Sequence, residues 1–389
     1  MNVTQRGIVT LLKSTVTGER LELPEGFALE QAGDLIRGHH LHMLVDQGAV
    51  KCGISCREPQ MQELFKVCVK NTYVSERQLQ EVRRIYDAFE ENSIEYMPLK
   101  GCRMKYLYPS PELRIMGDAD ILIRMEQYEQ IRLVLESLGF EEKNESDHEL
   151  IWRSKFLVLE LHKRLIPSYN QDFYAYYGDG WNLAKVREGN ACAMTPEDEW
   201  VYLFTHFAKH FRDGGIGCRH VVDLWVYRRT YPILDEAYVQ SVLLRLGLQE
   251  FYENICNLLD VWFDGKAEDE KTEFLGEVIF ASGSWGSLES RTISRALRYS
   301  ITSKVGMRGK MAYLWETAFP SAEVLRGKYI VLKRHPWMLP LVWAYRPAYK
   351  VIFERKSLDR KKTELNVISE KDMIGRQRLL NYIGLDYDF

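Results

Sequence analysis

Two carboxylates separated by one residue open an apolar run, Gly117-Asp118-Ala119-Asp120-Ile121-Leu122-Ile123. Side chains along a strand alternate between faces, so Asp118 and Asp120 point the same way while Ala119, Ile121 and Ile123 share the other face. Neighbouring carboxylates repel each other. A divalent cation that prefers hard oxygen ligands resolves this repulsion, and Mg²⁺ commonly uses one or two protein carboxylates plus substrate phosphates. The plainer alternative is a strand that begins with two solvated aspartates. A second run, Phe156-Leu157-Val158-Leu159-Glu160-Leu161-His162, is apolar except for its acid and its terminal histidine. A carboxylate inside such a run is costly to bury unless it is paired or holds a metal. Glu160 and His162 share a face with Val158, so Glu160 joins Asp118 and Asp120 if the two strands are neighbours. Upstream, Leu99-Lys100-Gly101 closes a short strand-like run and opens a helix-like segment, Cys102 to Tyr106. Glycine at such a junction lets a phosphate approach backbone amides at a helix start, and Lys100 adds a point charge there. A surface lysine beside a turn glycine is the alternative.

The elements that must position these residues are legible in part. Residues 1–73 read as helical with polar breaks. Ser75-Glu76-Arg77-Gln78 has the form of a capping box and predicts a helix from there to about Asn92, with Leu79, Val82, Ile85, Tyr86 and Phe89 inward. Ile94 to Leu99 is expected as a strand, with Pro98 at an edge or a strand end. A helix follows over Met125 to Leu138, stopped by Gly139. Two strand-like pieces, Phe140 to Lys143 and Glu149 to Arg153, precede the Glu160 strand. This order predicts an α+β protein: a small mixed sheet backed by helices. Arg164 to Met194 is aromatic-rich and reads as an irregular packed loop or a ligand lid. Thr195-Pro196 is a helix start with Pro at the first helical position. That helix carries His206 and His210 four apart on one face, and the next carries His220 and Asp223. These four could bind zinc in principle. A hydrogen-bonded cluster lining the second wall of a cleft is preferred.

Taken together, strand–Lys-Gly–helix, Arg114 four residues before Asp118-x-Asp120, a helix, and then a strand with Glu160-x-His162 resemble the polymerase-β-type nucleotidyltransferases. More narrowly, the pattern is similar to a largely uncharacterised bacterial nucleotidyltransferase family with a Leu-Lys-Gly signature. In the wider superfamily the first motif is usually Gly-Ser, and here Lys100-Gly101 stands in its place. The resemblance is most specific over Glu95 to Lys163 and extends more loosely over Pro196 to Arg229. It implies a nucleotidyltransferase core at 74–194, between helical regions at 1–73 and 195–389. It further implies transfer of a nucleoside monophosphate from an NTP to a hydroxyl acceptor, with release of pyrophosphate. Asp118, Asp120 and Glu160 would then hold Mg²⁺ or Mn²⁺, with Glu160 also placed to act as base. Lys100 and the Gly101 amide would meet the triphosphate, and Arg114 the leaving group. His162 would be either a partner of the carboxylates or a core histidine, while His206, His210 and Asp223 would face the acceptor. A phosphotransferase and a non-catalytic nucleotide-binding module are the rival readings.

Composition narrows the partners. The 389-residue chain is 46% hydrophobic and 28% charged, which is globular rather than disordered, with a net charge of −3. That balance, and the lack of a basic aromatic groove, argue against a polynucleotide acceptor and leave a small molecule, peptide or protein. Basic residues are concentrated after Lys304, and Arg355-Lys356 and Arg360-Lys361-Lys362 read as a charged linker before a last helix near Asp372 to Tyr382. Trp337, Leu341, Trp343 and Tyr345 could lie on a membrane surface. Pro336, Pro340 and Pro347 favour core packing instead. Seven irregularly spaced cysteines, no signal-peptide pattern and no spanning apolar run point to a cytoplasmic protein. Cys52 and Cys56 are read as ordinary thiols, and a metal site at His39, His40 and His42 is disfavoured because no carboxylate or cysteine keeps ligand spacing with them.

Overall fold

A computed structural model describes residues 1–284, 286–302, 310–322, 325, 329, 331–353 and 369–386. The expected charged linker lies outside these residues. Four helices open the chain: α1 (Val3–Thr17), α2 (Gly33–Gly38), α3 (His42–Cys52) and α4 (Pro59–Glu91). The sheet region then runs β1 (Tyr96–Pro98), α5 (Gly101–Met104), β2 (Ala119–Ile123), α6 (Tyr128–Ser137), β3 (Glu141–Glu145), β4 (Glu149–Arg153), β5 (Val158–His162), α7 (Gln171–Tyr177), β6 (Val186–Glu188) and β7 (Ala191–Ala193). Helices α8 (Pro196–Asp213), α9 (Cys218–Thr230), α10 (Glu236–Arg245), α11 (Gln249–Phe263) and α12 (Glu270–Ser282) follow, with further helices at Leu288–Thr302, Lys310–Ala318, Leu339–Phe353 and Glu370–Tyr382. The protein is α+β, a mixed seven-stranded sheet of order β3-β4-β5-β2-β1-β7-β6 surrounded by helices.

The sheet separates two cores. Ala119, Ile121 and Ile123 of β2 pack with Leu159 and Leu161 of β5 against Val82, Ile85 and Phe89 of α4 and Ile131 and Leu135 of α6. Leu122, one residue out of phase, belongs to the larger core that contains Phe204 and Phe207 of α8 and Val221 and Leu224 of α9. Burying a side chain of this size stabilises by roughly 1.5–3 kcal/mol. Both faces of β2 are buried, so slipping it by one residue would turn Ala119, Ile121 and Ile123 toward the cavity and drive Asp120 into the apolar core. The larger core also takes in α1, α3 and the start of α4, which joins the N-terminal helices to α8–α12 in one packed body.

Three sequence expectations are corrected. The helix does not start at Ser75: α4 runs unbroken from Pro59, with Pro at its first turn, through the expected boundary at 73/74. The capping-box residues make tertiary contacts instead. Ser75 Oγ accepts from Lys105 Nζ at 2.9 Å, and Gln78 Nε2 donates to the Met116 carbonyl at 3.2 Å. Arg164 to Met194 is not an irregular loop. It contains α7 and the β6–β7 hairpin, and β7 extends the sheet parallel to β1. Three-residue strands are too short to show a period-2 pattern. Preference for core packing around Trp337 holds for Val342, which is buried, but Trp337, Leu341 and Tyr345 are exposed. Pro98 ends β1, which is an interior strand rather than an edge. His39 is structural: its Nδ1 accepts from the Cys218 amide, and its Nε2 lies 3.1 Å from the Phe280 carbonyl. All seven cysteines are free thiols. No helix among the described residues is long and apolar enough to cross a membrane.

Candidate active site

Register puts the acids together. β2 and β5 are parallel neighbours with Asp120 opposite Glu160 and Leu122 opposite His162. Residues an even number apart share a face, so Glu160 and His162 point to the side of Asp120. Asp118 precedes the first residue of β2 and lines the same cavity, whose volume is about 400 Å³. Lys100 and Gly101 enter at the end of β1, where the Leu99 amide donates to the Asp120 carbonyl at 2.9 Å. The Lys100 backbone has φ +38°, a conformation strained for a residue with a Cβ and typical of residues held at functional sites. Gly101 leaves little room: a Cβ there would stand 3.2 Å from Arg114 Nη1 and 3.3 Å from Met116 Cγ and would press on both side chains.

Asp120 is the centre of the polar network. Its Oδ1 accepts from Lys100 Nζ at 2.7 Å and from His162 Nε2 at 2.8 Å. Burial opposes its charge, but Lys100 and His162 outweigh burial and hold its carboxyl well below the usual range. An ionised Asp120 requires the proton of His162 on Nε2, which leaves Nδ1 unprotonated and buried with no protein partner. The His162 ring itself is held neutral by burial and by Lys100. The other two acids lack such donors. Burial and the Asp120 charge push Asp118 up to about 6, and burial with Asp120, Asp118 and Glu149 pushes Glu160 up to about 8.

These residues fit a divalent cation. One ligand atom each from Asp120, Glu160 and His162 lies within 4.8 Å of the others. Burial raises Asp118 and Glu160 most, and the repulsion among the acids that adds to it is what a cation would relieve. Oxygen donors suit Mg²⁺ and Mn²⁺, and His162 is already committed to Asp120 through Nε2.

The facing wall comes from α8 and α9. Thr195 Oγ1 accepts from the Asp198 amide at 3.2 Å and fixes where α8 begins. Arg103 of α5 grips Glu199 of α8 through two bonds, 2.5 and 2.9 Å, tying the Lys-Gly junction to this wall. Leu203, His206, Phe207, Lys209 and His210 of α8 line the cavity, as do Arg219, His220, Asp223 and Leu224 of α9. Arg114 and Asp223, separately expected at the leaving group and the acceptor, are each other's partners: Arg114 donates to both carboxylate oxygens at 2.7 and 3.0 Å, and Tyr108 adds a 2.7 Å bond to Asp223. His206 and His210 join through their Nε2 atoms at 3.0 Å, and burial drives both well below the usual histidine range. The cavity residues that sequence reasoning missed are Lys209, His148 and Glu149; Arg219 and Tyr169, which also line it, fall in the Arg-x3-Asp helix and in the stretch read as a loop or ligand lid. His148 and Glu149, adjacent at the head of β4 and 3.0 Å apart, are an acid–base pair that the strand assignment alone could have suggested. Lys209 is visible as the one cation inside the His-x3-His spacing.

Carboxylates on two neighbouring strands, a strained Lys-Gly junction and a helical wall closing one cavity make this α+β fold similar to nucleotidyltransferases. The chain belongs to the family described as uncharacterised nucleotidyltransferase, whose model matches residues 27–264. No curated protein and no solved structure matches it.

Proposed function

We propose that the protein transfers a nucleoside monophosphate from an NTP to an acceptor hydroxyl. The acceptor oxygen forms a bond to the α-phosphorus, the bond from that phosphorus to the bridging β-phosphate oxygen breaks, and pyrophosphate leaves. The hydroxyl proton passes to a Glu160 carboxylate oxygen, which stands opposite Asp120 across the β2–β5 pair. Asp118, Asp120 and Glu160 would hold Mg²⁺ or Mn²⁺. When bound, the metal lowers the pKa of the attacking hydroxyl and balances charge on the leaving oxygens. Lys100 and His162 fix the Asp120 carboxylate between them. Lys100 also stands beside the Gly101 amide, where the triphosphate enters. Arg114 contributes a charge fixed in place by Asp223, which occupies its Nε–Nη2 edge, while Nη1 stands beside Gly101.

The observation that carries this reading is the Asp120–Glu160 register on adjacent parallel strands, with Asp118 in the same cavity. Incubation with each α-labelled NTP, Mg²⁺ and a cell extract as acceptor source tests it. Labelled product and free pyrophosphate are expected. Release of nucleoside diphosphate would replace this reading with phosphoryl transfer. Glu160→Gln should stay folded and bind nucleotide, yet turn over more slowly by at least about 10².

A further inference from the structure

Among the charged side chains of the cavity that the proposed transfer does not use, Lys209 is a lysine without an ion-pair partner within the described residues. Lys209 stands on α8 between His206 and His210, lines the cavity, and is only 7% exposed. The acids that act on it are Asp213, Glu149 and Asp120. Each already has partners: Glu149 has His148 at 3.0 Å, Asp213 has Arg298 and Tyr169 at 3.4 Å, and Asp120 has Lys100 and His162. Among the described residues no carboxylate forms an ion pair with Lys209. A buried ammonium without a counter-charge is costly even after the protein relaxes around it. Burial and the charge of Lys100 bring its pKa down to about 8, so it still carries its proton at neutral pH.

Lys209 stands on the helical wall, within the field of both Lys100 and Glu149. Lys100 and Gly101 lie at the β1–β2 end, where Arg114 is fixed and Arg219 Nη1 donates to the Ile115 carbonyl at 2.8 Å. The triphosphate therefore has cations of its own. Glu149, by contrast, sits on β4 opposite His162 of β5, on the far side of Glu160 from β1. A hydroxyl that gives its proton to Glu160 lies against β5, between the Asp120 and Glu149 strands.

We propose that Lys209 binds an anionic group of the acceptor, a carboxylate or a phosphate carried close to the hydroxyl that is attacked. The substrate class is then a hydroxy acid or a phosphorylated hydroxyl compound rather than a neutral or cationic one. This rests on the transfer reading of the same cavity.

The test fills the donor end first. Protein saturated with Mg²⁺ and an α,β-methylene NTP analogue is titrated with inorganic phosphate, and separately with acetate, by calorimetry. The wild type should bind at least one of these anions. Lys209→Met should weaken that binding about tenfold or more, Lys209→Arg should restore most of it, and analogue affinity should stay within about twofold in both. The methionine variant should melt no lower than wild type, since it removes an uncompensated buried charge. Loss of analogue affinity in Lys209→Met would assign the lysine to the triphosphate and overturn the proposal, as would failure of the loaded wild type to bind either anion. If the wild type binds no analogue, the transfer reading fails on its own. Phosphate titrated into nucleotide-free protein then still reads Lys209, and equal binding by wild type and Lys209→Met overturns its role.

Discussion

One wall of the cavity is a pair of adjacent parallel strands, and the other is a pair of helices that follow later in the chain. The strand wall is acidic and internally strained: Asp118, Asp120 and Glu160 share one face, and only Asp120 has strong donors. The helical wall is basic, and its charges divide into two kinds. Arg114, reaching it from the β2 side, is locked to Asp223, whereas Lys209 has no acid of its own. Charge held ready for a ligand is costly to the fold, while charge paired within the protein is not available to a ligand. The two walls thus separate residues that stand to meet substrate from residues that hold the wall in shape.

The contrast is broken most severely at Asp120. Asp120→Asn removes the anion that Lys100 and His162 both serve, and with it the best candidate metal ligand. Loss of several kcal/mol of transition-state charge stabilisation corresponds to roughly 10³-fold in pyrophosphate release. The same change leaves the Lys100 ammonium buried without its partner and should lower the melting temperature. Adding Lys100→Met to Asp120→Asn should recover stability and recover no activity. If that double variant turns over NTP, Asp120 serves only the fold.

Asp223 offers the matching test on the helical wall. Removing one member of a buried, doubly bonded pair costs about 3–5 kcal/mol. Asp223→Asn should therefore shift the denaturant midpoint strongly. Where the variant remains folded, acceptor kinetics should change less than stability does. A normal midpoint with impaired acceptor use would move Asp223 from the scaffold into the binding surface.

The acidic wall was legible before the structure because it obeys a local rule. Alternation along a strand places Asp118 with Asp120 and Glu160 with His162, and one parallel pairing then brings the pairs together. The sheet and its flanking helices α6 and α8 were readable for the same reason, since their periodicity and end signals lie within a few residues. The Arg114–Asp223 pair was not, because it joins residues 109 positions apart, and nothing in either segment distinguishes a paired charge from a waiting one. Ser75 misled for a related reason. A serine followed three residues later by glutamine has the form of a helix start, yet its hydroxyl serves a buried lysine inside a helix that began sixteen residues earlier.

That lysine supplies the mildest test of the basic side. Lys105 is fully buried beneath the Arg114 segment, donating to Ser75 Oγ at 2.9 Å and to the Arg114 carbonyl at 2.7 Å. Neither partner is an anion. Burial, then the nearby Arg114 charge, lower its pKa to about 8 from the 10.5 of an ordinary lysine. A lysine whose folded pKa is depressed weakens the fold while it must carry its proton, so the penalty is full below pH 8. The penalty shrinks as pH rises from the folded toward the unfolded value, because the unfolded chain then binds more protons than the folded one. Wild-type stability should accordingly improve relative to Lys105→Met by on the order of 1 kcal/mol between pH 7 and pH 9. Denaturant melts of both proteins at the two pH values measure this difference directly, and other titrating groups cancel in the comparison. A difference that does not change with pH would mean that Lys105 keeps its proton throughout. The Ser75 hydroxyl and the Arg114 carbonyl would then be compensating its charge as fully as water does.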